Sequence, residues 1–207
     1  MKITRYFPGL TDKQQQQLQT LETGIKEWNE KINLISRKDI ENLMERHILH
    51  SLAIARIISF KGGTTIMDVG TGGGFPGLPL AILFPGSHFL LVDSIGKKVK
   101  VAKDLVARLE LGNVEVAQTR VEQVEDEFDF ITGRAVTRLP EFCNLVRDKI
   151  ITASFNHLYN GVLYLKGGDL SDELRALPKR ARVMVYPISD YFDEEYFQTK
   201  NVVHVAL

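Results

Sequence analysis

Residues 67–82, MDVGTGGGFPGLPLAI, place five glycines and two prolines between a short apolar run and a helical pattern. Glycine in such a position serves backbone angles closed to other residues, or a ligand that approaches the main chain closely. The stretch marks a strand–turn–helix unit, and the chain after it keeps the same texture. From Thr64 onward TTIMDV, HFLLVD, VEVAQ, FDFIT and VLYLKG are short and rich in Val, Ile, Phe and Tyr, as strands are. Helical patterns alternate with them at 77–84, 96–110, 138–153 and 170–177. That order predicts a parallel sheet with helices on its faces. Two further runs, RVMVYPI and NVVHVAL, have no helix-length pattern between them, so a hairpin at the sheet edge is expected, with one late strand antiparallel.

Before Thr64 the pattern is helical. Leu18, Leu21, Ile25, Trp28 and Ile32 recur at alternating spacings of three and four, which predicts an amphipathic helix over 11–35. Thr11 and Gln14 have capping-box spacing at its start, and the glutamines at 14–17 read as a solvated face. A second helix is expected from Lys38 to Phe60, with Ile40, Leu43, Ile48, Leu52 and Ala55 inward and Lys61-Gly62-Gly63 ending it. The expected architecture is α/β: a helical N-terminal cap over 1–62, and a Rossmann-like core over 63–207 with a mostly parallel seven-stranded sheet, one antiparallel edge strand and one compact unit overall.

Bulk properties narrow the setting. Lys+Arg and Asp+Glu both number 26, so no polyanionic partner is advertised, although a local basic patch is allowed. No apolar run approaches the roughly 20 residues of a membrane span. The start, MKITRYFPGLTDKQQQQ, lacks an apolar signal region, so export is not expected. Cys143 is the single cysteine; it cannot form an internal disulfide, which fits a reducing cytoplasm, and in LPEFCNLV it reads as a small core residue.

The glycine loop matches two cofactor patterns. Gly72-Gly73-Gly74-Phe75-Pro76-Gly77 satisfies the dinucleotide spacing G-x-G-x-x-G. The alternative is Asp68-x-Gly70-x-Gly72-x-Gly74, the loop type of enzymes that bind S-adenosylmethionine. A dinucleotide loop presents backbone N–H groups to a pyrophosphate, and an aspartate just before the glycines opposes that anion. S-adenosylmethionine is a sulfonium cation with an ammonium group, and a carboxylate suits both. Asp68 thus favours the methyl donor. Asp93, at the end of HFLLVD, is placed to accept from ribose hydroxyls, which both cofactors carry.

Further residues fall where such a pocket is lined. Arg120, Val121 and Glu122 follow the third strand, near the expected adenine. Arg134 and Arg138 follow the fourth, at the mouth beside the methyl group. Many amino-group methyltransferases carry Asn or Asp, then Pro-Pro and an aromatic there, whereas this chain has Gly133-Arg134-Ala135. Arginine is a poor acceptor for a substrate amine but suits phosphate or guanine's O6/N7 edge. Lys97, Lys98, Lys166, Arg46 with His47, and the cluster Lys179, Arg180, Arg182 add weaker cationic candidates. His47 and His50 lack a third metal ligand and read as ordinary helix residues, so no metal is expected.

With these residues assembled, MDVGTGGGFPGLPLAI, LLVDSIGKKVK, TRVEQ, GRAV, YLKGG and the N-terminal KEWNEKINLIS and ERHILHSL resemble, in order and spacing, the ribosomal RNA small subunit methyltransferase G family. The resemblance implies a class I methyltransferase fold. It also implies a cytoplasmic bacterial enzyme that uses S-adenosylmethionine to methylate N7 of one guanosine in small-subunit (16S) ribosomal RNA, free or in the 30S particle. Carried over by position, cofactor contacts fall on Gly70, Phe75, Val121, Glu122 and Arg134, beside Asp68, Gly72, Gly74 and Asp93 from the loop itself. Guanine N7 needs no general base, so no dedicated catalytic residue is expected, and Arg134, Arg138, Arg120 and Lys166 are the substrate-side candidates. Gly133 stands where the family more often has Ser or Ala, a mild change, and the chain stops after its last strand without the basic ending of many relatives. A monomer away from membranes is expected. Three other readings are a methyltransferase for a small molecule or protein, a nicotinamide oxidoreductase (opposed by Asp68) and an RNA-binding factor without activity (opposed by the intact glycine loop).

Overall fold

The structure, a computed structural model, describes residues 2–207; Met1, the first residue of the expected cap, lies outside them. The chain opens with α1 (Lys2–Tyr6) and α2 (Asp12–Lys31). Thr11 Oγ1 accepts from the Gln14 N–H at 3.2 Å while Gln14 Oε1 accepts from the Thr11 N–H at 3.0 Å, the reciprocal cap that the spacing predicts. α2 stops short of residue 35 because Asn29 Oδ1 accepts from the backbone N–H groups of Leu34 and Ile35, drawing the chain into a turn.

The expected single helix from Lys38 to Phe60 is broken into pieces. α3 (Arg37–Ile40) is followed by a π-helical segment (Met44–Leu49), α4 (His50–Leu52) and a 3-10 turn (Ala53–Arg56). The inward residues keep their side: Leu43, Ile48 and Leu52 are buried. Widening the turn in the middle adds a residue per turn and re-aims Arg46 and His47.

The sheet contains β1 (Thr65–Val69), β2 (His88–Asp93), β3 (Val114–Gln118), β4 (Phe130–Arg134), β5 (Gly161–Gly167), β6 (Arg182–Pro187) and β7 (Lys200–Ala206). Their order is β3-β2-β1-β4-β5-β7-β6. β1 to β5 pair in parallel, and β7 inserts antiparallel between β5 and β6, giving the expected hairpin at the edge. β1, β4 and β5 are covered on both faces, which is why they read as continuous apolar runs rather than alternating ones. Because the chain winds from β1 outward to β3 and then returns to β4, a crevice opens beyond the carboxyl ends of β1 and β4.

Four helices cover the sheet: α5 (Gly77–Leu83), α6 (Gly96–Arg108), α7 (Leu139–Val146) and α8 (Ser171–Arg175). α7 ends earlier than residue 153 because Phe128 N–H donates to the Lys149 carbonyl and Ile151 N–H to that of Phe128, pulling the chain into a bridge. On one face Ile3, Leu18, Leu21, Ile25 and Leu52 pack with Ile66, Leu80 and Phe130 in a single cluster. On the other, Leu139, Phe142, Cys143 and Val146 pack with Met67, Ile131 and Tyr164. Burial pushes the Cys143 thiol up to about 12, as suits a core residue. Of the glutamines expected as a solvated face Gln16 is exposed, but Gln14 and Gln17 turn inward. Gln14 Nε2 donates to the Ile82 and Leu83 carbonyls at 3.0 and 3.3 Å, and Gln17 Nε2 to that of Leu109 at 2.6 Å. These carbonyls end α5 and α6, where intrahelical donors run out. Among the described residues no helix is long and apolar enough to cross a membrane.

Candidate functional site

The glycine loop leaves β1 at the crevice. Gly70, Gly72 and Gly74 have φ of 65°, 60° and 99°, in the left-handed region where a side chain is strained. At Gly70 a Cβ would also lie 2.9 Å from Val136 Cγ2 in the turn after β4. The loop is thus bare on both counts.

Asp68 underlies the loop rather than lining it. It is fully buried, and its Oδ2 accepts from Thr71 Oγ1 at 2.6 Å and from the Gly77 N–H at 2.9 Å. Its Oδ1 accepts from Thr132 Oγ1 at 2.9 Å, tying the loop to β4. Desolvation pushes the carboxyl up to about 6, against the pull of those three donors. Both oxygens thus face donors of the chain itself, and the carboxylate acts on the loop from beneath. Its charge still acts across a dry medium, where fields reach further than in water. It opposes a pyrophosphate and favours a cation over the loop.

Asp93 closes β2 nearly buried, with Oδ2 accepting from the Gly72 N–H at 3.0 Å and Oδ1 from the Ile95 N–H at 2.8 Å. It braces the loop from the neighbouring strand. Above the loop lies a cavity of about 220 Å³ lined by Gly70 to Gly73, Phe75, Lys98, Arg134 and Ala135, and by Ile25, Leu34, Ile35 and His47 from the N-terminal helices. A second cavity of about 430 Å³ shares His47, Arg134 and Ala135 with the first and adds Asp39, Arg46, His50, Leu165, Lys166, Gly167, Tyr196 and Lys200.

The shared wall is built around Arg134. Its guanidinium lies 5.5 Å from the Phe75 ring centroid, and donates to the Arg46 carbonyl at 3.3 Å and to His47 Nδ1 at 2.9 Å. Arginine has only donors, so His47 Nδ1 offers a lone pair and the ring is neutral. Burial, then the charge of Arg134, pushes the His47 pKa down to about 3. His47, expected as an ordinary helix residue, lies in the π-helical segment and lines both cavities. His50 is buried behind it, with its pKa well below the usual value for the same first reason.

The other expected residues divide. Gly70, Gly72, Phe75 and Arg134 line the first cavity, and Lys98 joins them. Gly74 is buried beneath Leu78, whose Cδ1 would lie 2.2 Å from a Cβ there. Val121 is buried in the core and Glu122 is exposed beside exposed Arg120; none of the three lines either cavity. Lys166 lines the second cavity but pairs with Glu173 at 2.8 Å, and exposed Arg138 sits 3.7 Å from Glu141. Gly133 is no mild change. A Cβ there would meet Phe142 Cζ and Tyr164 Cε2 at 2.8 Å, so those rings occupy the space. Tyr196, in a 3-10 turn, and Lys200, the first residue of β7, carry no signal in the sequence, where both fall in SDYFDEEYFQTK, a stretch without periodicity.

The fold and a glycine loop braced by two strand-end aspartates define the class: a Rossmann-like methyltransferase fold. A SAM dependent methyltransferase from Aquifex aeolicus has the same fold at 17% identity, with a TM-score of 0.57 over 84% of this chain and 100% of that one. An rRNA methylase from Streptococcus thermophilus is similar at 13% identity, with a TM-score of 0.51 over 78% and 96%. The profile of the rRNA small subunit methyltransferase G family matches residues 14–189, and the chain belongs to that family. A ribosomal RNA small subunit methyltransferase G from Flavobacterium johnsoniae is 53% identical over 206 residues, covering 100% of this chain and 97% of the relative.

Proposed function

We propose that this chain transfers a methyl group from S-adenosylmethionine to N7 of a guanosine in small-subunit (16S) ribosomal RNA, acting as a cytoplasmic monomer on free RNA or the 30S particle. The observation that carries the reading is the common wall of the two cavities, His47–Arg134–Ala135, with a glycine loop on one side and cations on the other. Residues 63–207 would be the transferase core, and residues 1–62 a cap that closes both cavities.

S-adenosylmethionine, when bound, supplies an electrophilic methyl on a sulfonium sulfur. The residues above the loop fit such a group: bare glycine backbone, apolar Ile25, Leu34 and Phe75, cationic Lys98 and Arg134 for a carboxylate, and the buried charge of Asp68 beneath. Gly70, Gly72, Phe75 and Arg134 are its proposed holders from the cavity wall, with Asp68, Gly74 and Asp93 acting through the loop, and Val121 and Glu122 are proposed, on the family resemblance, to flank the adenine outside that cavity.

The second cavity would take the guanine, splayed from its stack. N7 carries a lone pair and no proton, so the chain has no proton to remove. Its residues agree. Asp39, the one carboxylate among those lining the cavity, is bonded to Arg46 at 2.7 Å, and that bond holds it below the usual carboxylate range. His47 is neutral, with its Nδ1 lone pair committed to Arg134. What remains is alignment and the exclusion of water. Among the described residues Lys200 lines the cavity without a carboxylate partner, which leaves it for RNA phosphate or the guanine edge, and Arg134, on the wall shared with the methyl donor's cavity, is assigned to the guanine side as well. Arg120, Arg138 and Lys166 are assigned to flanking RNA.

The test is labelled methyl transfer to small-subunit RNA from a strain lacking the enzyme, then borohydride reduction and aniline cleavage, which cut at N7-methylguanosine. One cut is expected. Label without a cut would place the methyl on another atom and overturn the N7 assignment.

A further inference from the structure

Beyond the cleft, cations gather at the opposite corner of the sheet. Between Glu173 and Asp190 the chain carries Arg175, Lys179, Arg180 and Arg182 and no acid. Arg175 pairs with Asp172. Lys179, Arg180, Arg182 and nearby Arg147 are exposed, and among the described residues none has a salt bridge or a hydrogen-bonded side chain. Arg147 and Arg180 flank one shallow pocket with Leu207. The Arg182 guanidinium lies 4.6 Å from the ring centroid of Tyr159, which is 59% exposed, and Met184, two residues further along β6, is exposed as well.

A charged edge strand also discourages edge-to-edge pairing. That purpose accounts for Arg182 on β6, but not for Lys179 and Arg180 in the turn before it, nor for Arg147 at the end of α7. It also gives no reason for a large aromatic ring held in water with a guanidinium upon it. Unpaired cations beside an exposed aromatic are what an RNA strand meets on a protein surface: charges for phosphates and a ring for a base.

We infer that Arg147, Lys179, Arg180, Arg182 and Tyr159 form a second ribosomal RNA contact, separate from the catalytic cleft. It rests on the proposed function for the identity of the RNA. Arg134 stands level with Leu165, Val202 and Tyr186 across the sheet, and Arg182 lies four residues from Tyr186. At about 3.3 Å per residue and about 4.8 Å per strand, the patch and the cleft are about 20 Å apart. A folded RNA spans that distance while its target nucleotide occupies the cleft. The contact selects a long structured RNA over a free nucleotide, which the cleft alone does not.

The experiment uses the full chain carrying Lys179→Gln, Arg180→Gln and Arg182→Gln together. Binding of small-subunit RNA is titrated directly over a range of salt, and S-adenosylmethionine binding is followed by calorimetry. The affinity for RNA should fall about tenfold at low salt, and the slope of log K against log salt should become shallower by about 2 to 3. The affinity for S-adenosylmethionine and the rate at saturating RNA should stay as in the wild type. A companion with Lys179→Arg, Arg180→Lys and Arg182→Lys should bind RNA normally. An unchanged slope in the neutral variant, or weak binding by the charge-retaining one, would overturn the inference. A wild type that binds RNA with a steep slope but transfers no methyl group would sink the proposed function and leave this contact standing.

Discussion

Asp68 is the carboxylate with the most to lose from its surroundings, and it makes stability depend on pH in a calculable way. Raising its carboxyl from 3.8 to about 6 means that the folded chain holds the proton more tightly than the unfolded chain. The associated stabilisation is complete below the unfolded value and is lost as pH rises through the folded one. Over the whole range it amounts to about 3 kcal/mol, of which about 1.4 kcal/mol falls between about pH 5 and about pH 7.5. Asp68→Asn keeps the shape and an acceptor for Gly77 and Thr71 but cannot titrate. Urea unfolding of both proteins at the two pH values cancels every other titrating group. The stability of the wild type relative to the variant should fall by about 1.4 kcal/mol on going to the higher pH, or about 0.7 M in midpoint at an m value of about 2 kcal/mol/M. A relative stability that stays constant, or rises, would mean that the three donors outweigh burial and that Asp68 is ionised throughout, contrary to its raised pKa.

Other expectations are simpler. Gly133→Ala should lower stability by about 1 to 3 kcal/mol through overpacking against Phe142 and Tyr164, read as a drop in Tm with little change in S-adenosylmethionine affinity. Arg134→Gln removes the second cause of the low His47 pKa and leaves burial, so NMR titration should show the imidazole rising from about 3 but staying below 6.5. Lys200→Gln should weaken RNA binding and flatten its salt dependence by about 0.7 to 1, with cofactor affinity unchanged in calorimetry; an unchanged slope removes Lys200 from the substrate side.

The parts of the fold that were legible are those fixed by local chemistry. Glycines at positive φ, strand-end aspartates and a Thr11–Gln14 cap announce themselves because backbone angles and backbone donors demand those residue types. The parallel order of β1 to β5 followed from alternation alone. What stayed hidden depends on partners distant in sequence. Gln14 and Gln17 look like surface residues until α5 and α6 present their free carbonyls. The break at Met44–Leu49 leaves the buried side intact, so an apolar count cannot reveal it, yet it moves His47 from helix surface to site. Asp68 stands out in the sequence by its place before the glycines, but its burial beneath the loop depends on Thr132 from β4. Tyr196 and Lys200 reach the cleft only because β7 inserts beside β5.

The placement of the methyl donor on the glycine loop is tested most directly by calorimetric titration of the wild type with S-adenosylmethionine and with NADH, repeated on Gly70→Trp. One site for S-adenosylmethionine is expected, none for NADH, and loss of the first in the variant, whose side chain would fill the cavity beside Val136. Binding of NADH, or S-adenosylmethionine binding that survives Gly70→Trp, would contradict the placement of the methyl donor on the glycine loop.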